Sequence, residues 1–347
     1  MNVAILHDPT PPDARPDELD GWVQVEAVTA AVTRMGHAAT AVPFSIDFNR
    51  TIDAIERYDA DVVFNLVESV NGSGRLICLA PAVLEAVGRA YTGASSEATF
   101  STSSKVLAKR ILRAAGIATP EWVSTTSQAD LAPFRPDRYL IKSVWEDASL
   151  GLGEDSVVDA PCADALRREI DARADHLGGE AFAERYIDGR EFNLSLLATA
   201  KGCRVLPPAE IRFDEYPTDK LRIVDYAAKW AEDSFEYSHT PRRFDFPPED
   251  ATLVAKLERI AAQCWDVFGL RGYARVDFRV DESGRPWVLE LNVNPCISPD
   301  AGFVAAAERA GLSFDDVVRM ILDDAVRSCR ARPPDPGHRG DKSARVV

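Results

Sequence analysis

Oxygen-bearing side chains fall on one face of two neighbouring predicted strands, ARVDFRV and WVLELNV. Alternation along a strand places Arg275 and Asp277 together on one face of the first strand, and Glu290 and Asn292 on one face of the second. Carboxylate and amide oxygens, without His or Cys, suit Mg²⁺, which keeps several waters and is completed by substrate phosphates. The pattern therefore predicts a magnesium site, with a solvated polar sheet face as the alternative.

Two lysines lie at positions suited to phosphate binding. Lys142 ends an apolar strand, and the loop after it, residues 145–155, contains small residues and glycines whose backbone amides can donate to phosphate oxygens. Lys105 stands in the first turn of a helix, where the helix dipole disfavours a cation, and this favours a role in ligand binding. Glu184 and Glu191 bracket a strand and a turn, where carboxylates either meet ribose hydroxyls or remain surface charges.

The composition excludes several classes of protein. The chain has 347 residues, 46% of them hydrophobic, enough for one large core or a few smaller ones. Its 55 acidic residues against 40 Lys and Arg give a net charge of -15, which disfavours nucleic acids and anionic membranes as partners. The cysteines and histidines are scattered, so neither a zinc site, a disulfide framework nor a histidine triad is indicated. Because no signal-like or membrane-spanning apolar run occurs, we predict a cytoplasmic protein.

The elements that must position these residues follow from the apolar pattern. The first part alternates predicted strands and helices, as in a parallel α/β unit: strands 3–6 and 61–67, helices 23–35 and 81–87. Ser104 caps a helix over 105–115. The later strands are predicted over 139–143, 181–187, 191–198, 203–212, 274–280 and 287–293, with Asp188-Gly189 as a hairpin turn. The later helices are predicted over 163–177, 251–268, 301–310 and 314–327, with a polar insert at 213–248.

The order of these motifs resembles a known family. Ser104-Lys105 opens a helix that ends AAGIATPEWV, and then follow IKSVWEDASLGLG, AERYIDGREFNLSLL, DYAAKW, ARVDF and LELNVNP. This series resembles the ATP-grasp superfamily and, within it, the D-Ala-D-Ala ligases; YTG and the finish NPCISPDAGFVAAAERAGLSFDDVV match as well. The resemblance covers roughly residues 60–325.

The resemblance implies an α/β (α+β) ATP-grasp fold. An N-terminal parallel α/β domain, residues 1–95, precedes two α+β subdomains that sandwich the nucleotide. These are residues 96–183, with a mobile lid, and residues 184–329, with the catalytic groups. We predict that residues 330–347 form a disordered tail.

The resemblance also implies roles for individual residues. It implies ATP contacts from Lys105, Lys142, Glu146, Glu184, the backbone of Ile187, Glu191 and Leu289. It implies Mg²⁺, with Mn²⁺ as the alternative, on the residues that alternation selects: Asp277, Glu290 and Asn292. It places Arg275 at the oxyanion, Lys229 at a phosphate and Ser149 in the lid. We also predict substrate contacts from Glu68, Asn294, Cys296 and Asp300, of which Glu68 lies in FNLVES, where the family has a different loop.

The sequence departs from the family pattern around the two substrates. D-Ala-D-Ala ligases carry glycine where this chain has Asp147 and Cys296, and serine, which helps hold the second substrate's carboxylate, where it has Ala301. A carboxylate beside Asp300 would be repelled by roughly 1 to 4 kcal/mol. We therefore expect D-alanine to be a poor acceptor and a larger or amine-bearing acceptor to pair with Asp300 or Glu68. The family's N-terminal glutamate, which binds the first substrate's ammonium, has four acidic counterparts here: Asp17, Glu18, Asp20 and Glu26.

The sequence as a whole predicts an ATP-dependent carboxylate-amine ligase that forms an amide through an acyl phosphate and releases ADP and phosphate. Its partners would be small amino-acid or peptide substrates, and a homodimer is left open. One alternative is an authentic D-Ala-D-Ala ligase of cell-wall synthesis. Two others are a nucleotide-binding regulatory protein without catalysis and a kinase-like enzyme that stops at phosphorylation.

Overall fold

The computed structural model describes residues 1–10, 14–125, 134–147, 149 and 151–331. The helices among them are α1 (Pro16–Arg34), α2 (Phe48–Arg57), α3 (Leu79–Ala86), α4 (Ser96–Ser103), α5 (Lys105–Ala114), α6 (Ala163–Arg173), α7 (Tyr226–Trp230), α8 (Phe235–Ser238), α9 (Ala251–Val267), α10 (Gly302–Arg309) and α11 (Phe314–Ala331). The strands are β1 (Asn2–His7), β2 (Ala38–Pro43), β3 (Val62–Asn65), β4 (Trp122–Ser124), β5 (Asp137–Ser143), β6 (Val157–Ala160), β7 (Ala181–Arg185), β8 (Arg190–Thr199), β9 (Gly202–Val205), β10 (Ala209–Ile211), β11 (Arg242–Arg243), β12 (Tyr273–Val280) and β13 (Pro286–Asn292).

The N-terminal sheet is parallel, with strand order β2-β1-β3. The apolar run of β1 is buried on both sides because helices cover both faces of a parallel sheet. The predicted α/β opening is thus confirmed, although β2 and α2 lay outside the predicted elements. Helix α5 begins where the sequence indicated, since the Ser104 side chain accepts a hydrogen bond from the backbone N–H of Leu107.

Two antiparallel sheets follow. The smaller has the order β4-β7-β5-β6, and helix α6 packs Leu166 and Ile170 against its apolar face. The larger has the order β11-β10-β8-β12-β13, with β9 paired to β8, and helix α9 covers one of its faces with Leu257 and Ala261. The covered face takes the apolar side chains of β12, so the polar side chains of that strand point to the other face.

Two strand predictions are wrong. Asp188-Gly189 is no hairpin turn, because β7 and β8 belong to different sheets and the segment crosses from one to the other. Gly189 has φ +144°, and a Cβ there would lie 2.0 Å from the carbonyl oxygen of Val280, so only glycine fits the crossing. The strand expected over residues 203–212 is split into β9 and β10 because Pro207 and Pro208 have no N–H to donate to a sheet.

The last helices return to the N-terminal sheet. Val317 and Ile321 of α11 are fully buried in the core that also contains Val3, Ile5 and Val28. The beginning and the end of the chain thus share one core. The domain boundaries inferred from the sequence stay a prediction, and the expected tail lies outside the described residues except for its first two, which end α11. None of the described helices combines the length and apolar character needed to span a membrane.

Candidate active site

A cavity of about 620 Å³ lies between the two antiparallel sheets, with the N-terminal sheet at one end. It is lined by every residue that the sequence assigned to a site except Asn294. Asn294 accepts a hydrogen bond from the hydroxyl of Tyr273 and donates one to the carbonyl of Val67, 2.9 Å away. Its side chain therefore ties the segment after β13 to the segment after β3.

The acidic and amide side chains of β12 and β13 meet as the alternation predicted. Asp277 is paired across the strands with Glu290, and Arg275 with Asn292, so all four share one face. The Arg275 guanidinium binds both oxygens of Asp277, with both N–O distances 2.8 Å. Asn193 of β8 donates to the same carboxylate at 2.8 Å. Asn193 was missed from the sequence, although alternation with Glu191 in β8 indicates it.

Glu290 is the acidic centre of a cluster of cations. Burial would raise the pKa of its carboxyl group, but four positive charges outweigh burial and lower that pKa to about 2. The cations are Lys105, Lys142, Lys229 and Arg275. The Nζ atom of Lys105 lies 4.0 Å from a Glu290 oxygen. Glu290 is thus ionised at neutral pH, while three of the four cations also pair with a second carboxylate, that of Asp147, Glu184 or Asp277.

Glu184 joins two buried lysines. Its two oxygens lie 2.6 Å from the Nζ atoms of Lys142 and Lys109, and Glu184 is 2% exposed. Burial raises the pKa of Glu184, but the two ammonium groups outweigh burial and lower the pKa below its ordinary value, so the carboxyl group stays ionised. Lys109 also donates to the Thr119 hydroxyl at 2.8 Å. Lys109 was missed from the sequence, and the signal was its spacing of four residues from Lys105 on one face of α5.

Glu191 is paired with a cation of the neighbouring strand. An oxygen of Glu191 lies 2.8 Å from the Arg279 guanidinium, in the register that opposes these two residues. Arg279 also lies over the ring of Phe213, with 5.2 Å between the guanidinium carbon and the ring centroid. Arg279 lines the cavity, and its spacing of two residues from Asp277 along β12 puts it on the same face as Arg275 and Asp277.

The loop after β5 reaches across the cavity. Lys105 donates to the carbonyl of Glu146 at 2.8 Å and to the carboxylate of Asp147 at 2.7 Å. The hydroxyl of Ser149 donates to the carbonyl of Val224 at 2.8 Å, which joins this loop to the 213–248 insert. Ser149 has φ +62°, a left-handed conformation that is uncommon for serine. The predicted lid and the insert that carries Lys229 therefore contact each other.

Acidic side chains surround the end of the cavity near the N-terminal sheet. Of the four N-terminal acidic candidates, Asp20 lines the cavity and accepts hydrogen bonds from Ser298 at 2.6 Å and the Cys296 thiol at 2.9 Å. Glu68 accepts a hydrogen bond from Gln24 at 2.8 Å. Glu68 is accessible from the cavity, and desolvation there raises its pKa to about 8, against the Gln24 hydrogen bond and with help from Asp8 and Asp20. The neutral form of Glu68 thus prevails at pH 7.

The side chains present fit a magnesium nucleotide. Asp277, Glu290 and Asn292 offer hard oxygen donors on one face. The apolar side chains of Leu140, Ile187 and Leu289 line the cavity and suit the flat adenine ring of a nucleotide. Within the described residues, no three His, Cys, Asp or Glu side chains are grouped to hold a metal ion. A metal here would therefore depend on the Asn292 amide and on phosphate oxygens for its remaining ligands.

Known proteins are similar to this chain over much of its length. The family model described as "D-ala D-ala ligase C-terminus" matches residues 139–323. The D-alanine–D-alanine ligase of Moorella thermoacetica is 29% identical over 315 residues, covering 86% of this chain and 92% of that protein. The D-alanine–D-alanine ligase of Bordetella avium is 29% identical over 257 residues, covering 72% and 74%.

The fold has solved counterparts. The structure of D-alanine–D-alanine ligase from Bacillus anthracis complexed with ATP matches with a TM-score of 0.71 at 18% identity, over 95% of this chain and 99% of that one. A second structure of the Bacillus anthracis ligase gives the same TM-score at 20% identity. These matches confirm the predicted ATP-grasp fold, with its parallel sheet and its antiparallel sheets.

Proposed function

The chain belongs to the D-Ala-D-Ala ligase family and is thus an ATP-dependent, ADP-forming ATP-grasp ligase, and from this we propose that it joins an amino-acid or peptide carboxylate to an amine through an acyl phosphate. A donor carboxylate oxygen attacks the γ-phosphorus of ATP and ADP leaves. The amine then attacks the acyl carbon, loses a proton, and phosphate leaves with one oxygen of the donor. Magnesium, when bound, neutralises phosphate charge during the first step.

The observation that carries this proposal is the convergence of four cations on one ionised carboxylate. Lys105, Lys142 and Lys229 supply positive charge to the cavity around Glu290, as a triphosphate requires. Arg275 shares a sheet face with Asp277 and Glu290, so its guanidinium lies beside the proposed phosphate and metal site, where an oxyanion develops.

The second role that we assign to the site is the exclusion of water by the lid. The loop after β5 is bound to Lys105 and, through Ser149, to the insert that carries Lys229. Closure of these two segments over the nucleotide would exclude water, which otherwise hydrolyses the acyl phosphate. We therefore propose that Glu146 and Ser149 act in lid closure and that Arg275 and Lys229 contact the reacting phosphate.

Isotope transfer tests the proposal directly. D- and L-amino acids are first screened in pairs for release of ADP with ATP and Mg²⁺, and the products are identified by mass spectrometry. The donor of an active pair is then labelled with ¹⁸O in its carboxylate. We expect one label in the released phosphate and an amide product. Phosphate without label, or a phosphorylated amino acid as the end product, would contradict the acyl-phosphate route.

The same screen separates the two ligase alternatives. Efficient formation of D-alanyl-D-alanine from D-alanine alone would assign the chain to the reaction named for its relatives. Turnover with other pairs, and little with D-alanine, would support the expectation drawn from Asp147, Cys296 and Ala301. Nucleotide binding without ADP release from any pair would support a regulatory protein instead.

A further inference from the structure

Arg242 lies beside the segment in which the sequence departs from the family. It opens strand β11 and lines both the main cavity and a second cavity of about 360 Å³ beside it. Its Nη1 atom donates to the backbone carbonyl of Asp300 at 3.2 Å. A Cβ at Gly302 would lie 3.2 Å from Nε and 3.6 Å from Cζ of Arg242. The guanidinium is thus seated against residues 300–302, which also line the main cavity.

The ion pairing of Arg242 differs from that of the neighbouring arginines. Arg212 is paired with Asp214 at 3.0 Å, Arg243 with Glu210, and Arg309 with Asp245. Among the residues that the structure describes, no carboxylate forms such a pair with Arg242. Arg242 is exposed at the rim of the cavity, and desolvation by its surroundings lowers its pKa, as does the charge of Arg275, while Asp300 opposes both. The side chain nevertheless stays charged, and the hydrogen bond to Asp300 occupies one of its five N–H groups.

Arg275 and Arg242 have different hydrogen-bond partners: Arg275 binds a carboxylate, whereas Arg242 binds a backbone carbonyl. Arg275 already binds both oxygens of Asp277. The Arg242 guanidinium contacts residues 300–302 directly, so an anion that enters the cavity beside these residues lies next to Arg242. The phosphate chain is expected near Lys105, Lys142 and Lys229, which cluster around Glu290. A second anionic group of a substrate, which must stay away from the γ-phosphate to remain unreacted, would fit the Arg242 position.

We propose that Arg242 binds the unreacting carboxylate of the acceptor and selects an amino acid or peptide with a free carboxylate as the amine substrate. This inference rests on the proposed ligase function. It also changes the charge argument made from the sequence, which considered Asp300 alone. With Arg242 beside Asp300, the negative charge at this end of the cavity is offset, so an acceptor carboxylate is attracted by a fork of N–H donors.

The test pairs a change in the protein with a change in the acceptor. Alanine, serine, lysine and glutamate, as D and L forms, are each supplied as the free acid and as the α-carboxamide, with every free acid also offered as donor. The acceptor KM is measured for the wild type, Arg242→Gln and Arg242→Lys. Arg212→Gln is the matched control, since Arg212 lines only the second cavity. ATP KM and Tm show whether each variant is folded.

We expect Arg242→Gln to raise the KM of free-acid acceptors about 10- to 100-fold, as loss of a charged hydrogen bond does. The KM of carboxamide acceptors and of ATP should stay unchanged, with partial recovery in Arg242→Lys and no effect of Arg212→Gln. An equal change for acids and carboxamides, or no change for either, would overturn the inference.

A failure of the ligase proposal remains distinguishable. If no pair releases ADP, the proposed function fails, and binding is measured instead. The Tm of protein with a non-hydrolysable ATP analogue and Mg²⁺ is then compared with the free acids and the carboxamides. Stabilisation by the acids in the wild type but not in Arg242→Gln would support the carboxylate site. The same Tm shift in both proteins, or none in either, would reject it.

Discussion

Glu290 is the residue on which the charge balance of the cavity depends. Replacement of Glu290 by Gln removes the carboxylate at the centre of Lys105, Lys142, Lys229 and Arg275 without changing the size of the side chain. We expect kcat to fall at least about 100-fold, because the proposed electrostatic contact of Glu290 with the metal and phosphates is lost. Steady-state kinetics measure the change, and Glu282→Gln in the exposed β12–β13 loop is the control. Near-normal turnover by a folded Glu290→Gln protein would contradict the metal assignment.

A substitution of Arg275 distinguishes a role in binding the transition state from a role in binding ATP in the ground state. Arg275→Lys keeps the charge but loses the planar fork that holds both oxygens of Asp277. If the fork stabilises the oxyanion, kcat should fall more than ATP affinity. Kinetics together with equilibrium binding of ATP distinguish the two quantities. Weaker ATP binding at unchanged kcat would assign Arg275 to the nucleotide ground state.

Glu68 makes stability depend on pH. Its folded-state pKa of about 8 lies above the ordinary 4.5, so the folded protein holds a proton that the unfolded chain has lost between these values. The free energy of unfolding contributed by this group therefore falls as pH rises from about 4.5 to 8. Glu68→Gln keeps a neutral partner for Gln24, so its Tm should rise relative to wild type across this range. A constant difference in Tm between pH 5 and 8.5, as expected for Glu308→Gln on the surface of α10, would contradict the raised pKa of Glu68.

At the scale of elements, the lid and the insert hold each other. The Nζ atom of Lys220 in the insert lies 2.7 Å from oxygens of both Glu154 and Glu236, and Glu154 lies near the end of the loop over residues 145–155. Endoproteinase Glu-C has cleavage positions at Glu146 and Glu154. We expect an ATP analogue with Mg²⁺ to protect this loop, because phosphate contacts order it. Lys220→Gln should be cleaved faster without nucleotide, whereas Lys201→Gln in the exposed β8–β9 turn should match wild type. Equal cleavage with and without nucleotide would count against a lid.

At the scale of the whole molecule, the shared core couples the two ends of the chain. Ile321 of α11 is fully buried with Val3, Ile5 and Val28. Ile321→Ala should lower the free energy of unfolding by about 2 to 5 kcal/mol, whereas Val267→Ala, at a side chain that is 37% exposed, should change it little. Urea unfolding is followed by far-UV circular dichroism and by limited proteolysis of the N-terminal segment. Loss of α11 packing without a shift in the N-terminal segment would show that the two parts unfold independently.

Local periodicity was enough to define much of the site. The face shared by Asp277, Glu290 and Asn292 follows from alternation in two adjacent strands, since the direction of a side chain in a strand depends on position alone. The cap of α5 by Ser104 and the order of the family motifs are local in the same way. These features could be predicted because neighbouring residues determine them.

Only the tertiary structure decided which distant residues meet. Lys109 and Lys142 share the carboxylate of Glu184, Arg242 reaches Asp300, and α11 returns to β1, none of which a pattern of neighbouring residues encodes. The Asp188-Gly189 turn had the composition of a hairpin, yet the packing of two separate sheets placed its flanking strands apart. The physical reason is that contacts across dozens of positions depend on how sheets and helices bury their apolar faces together, and that burial is a property of the whole chain.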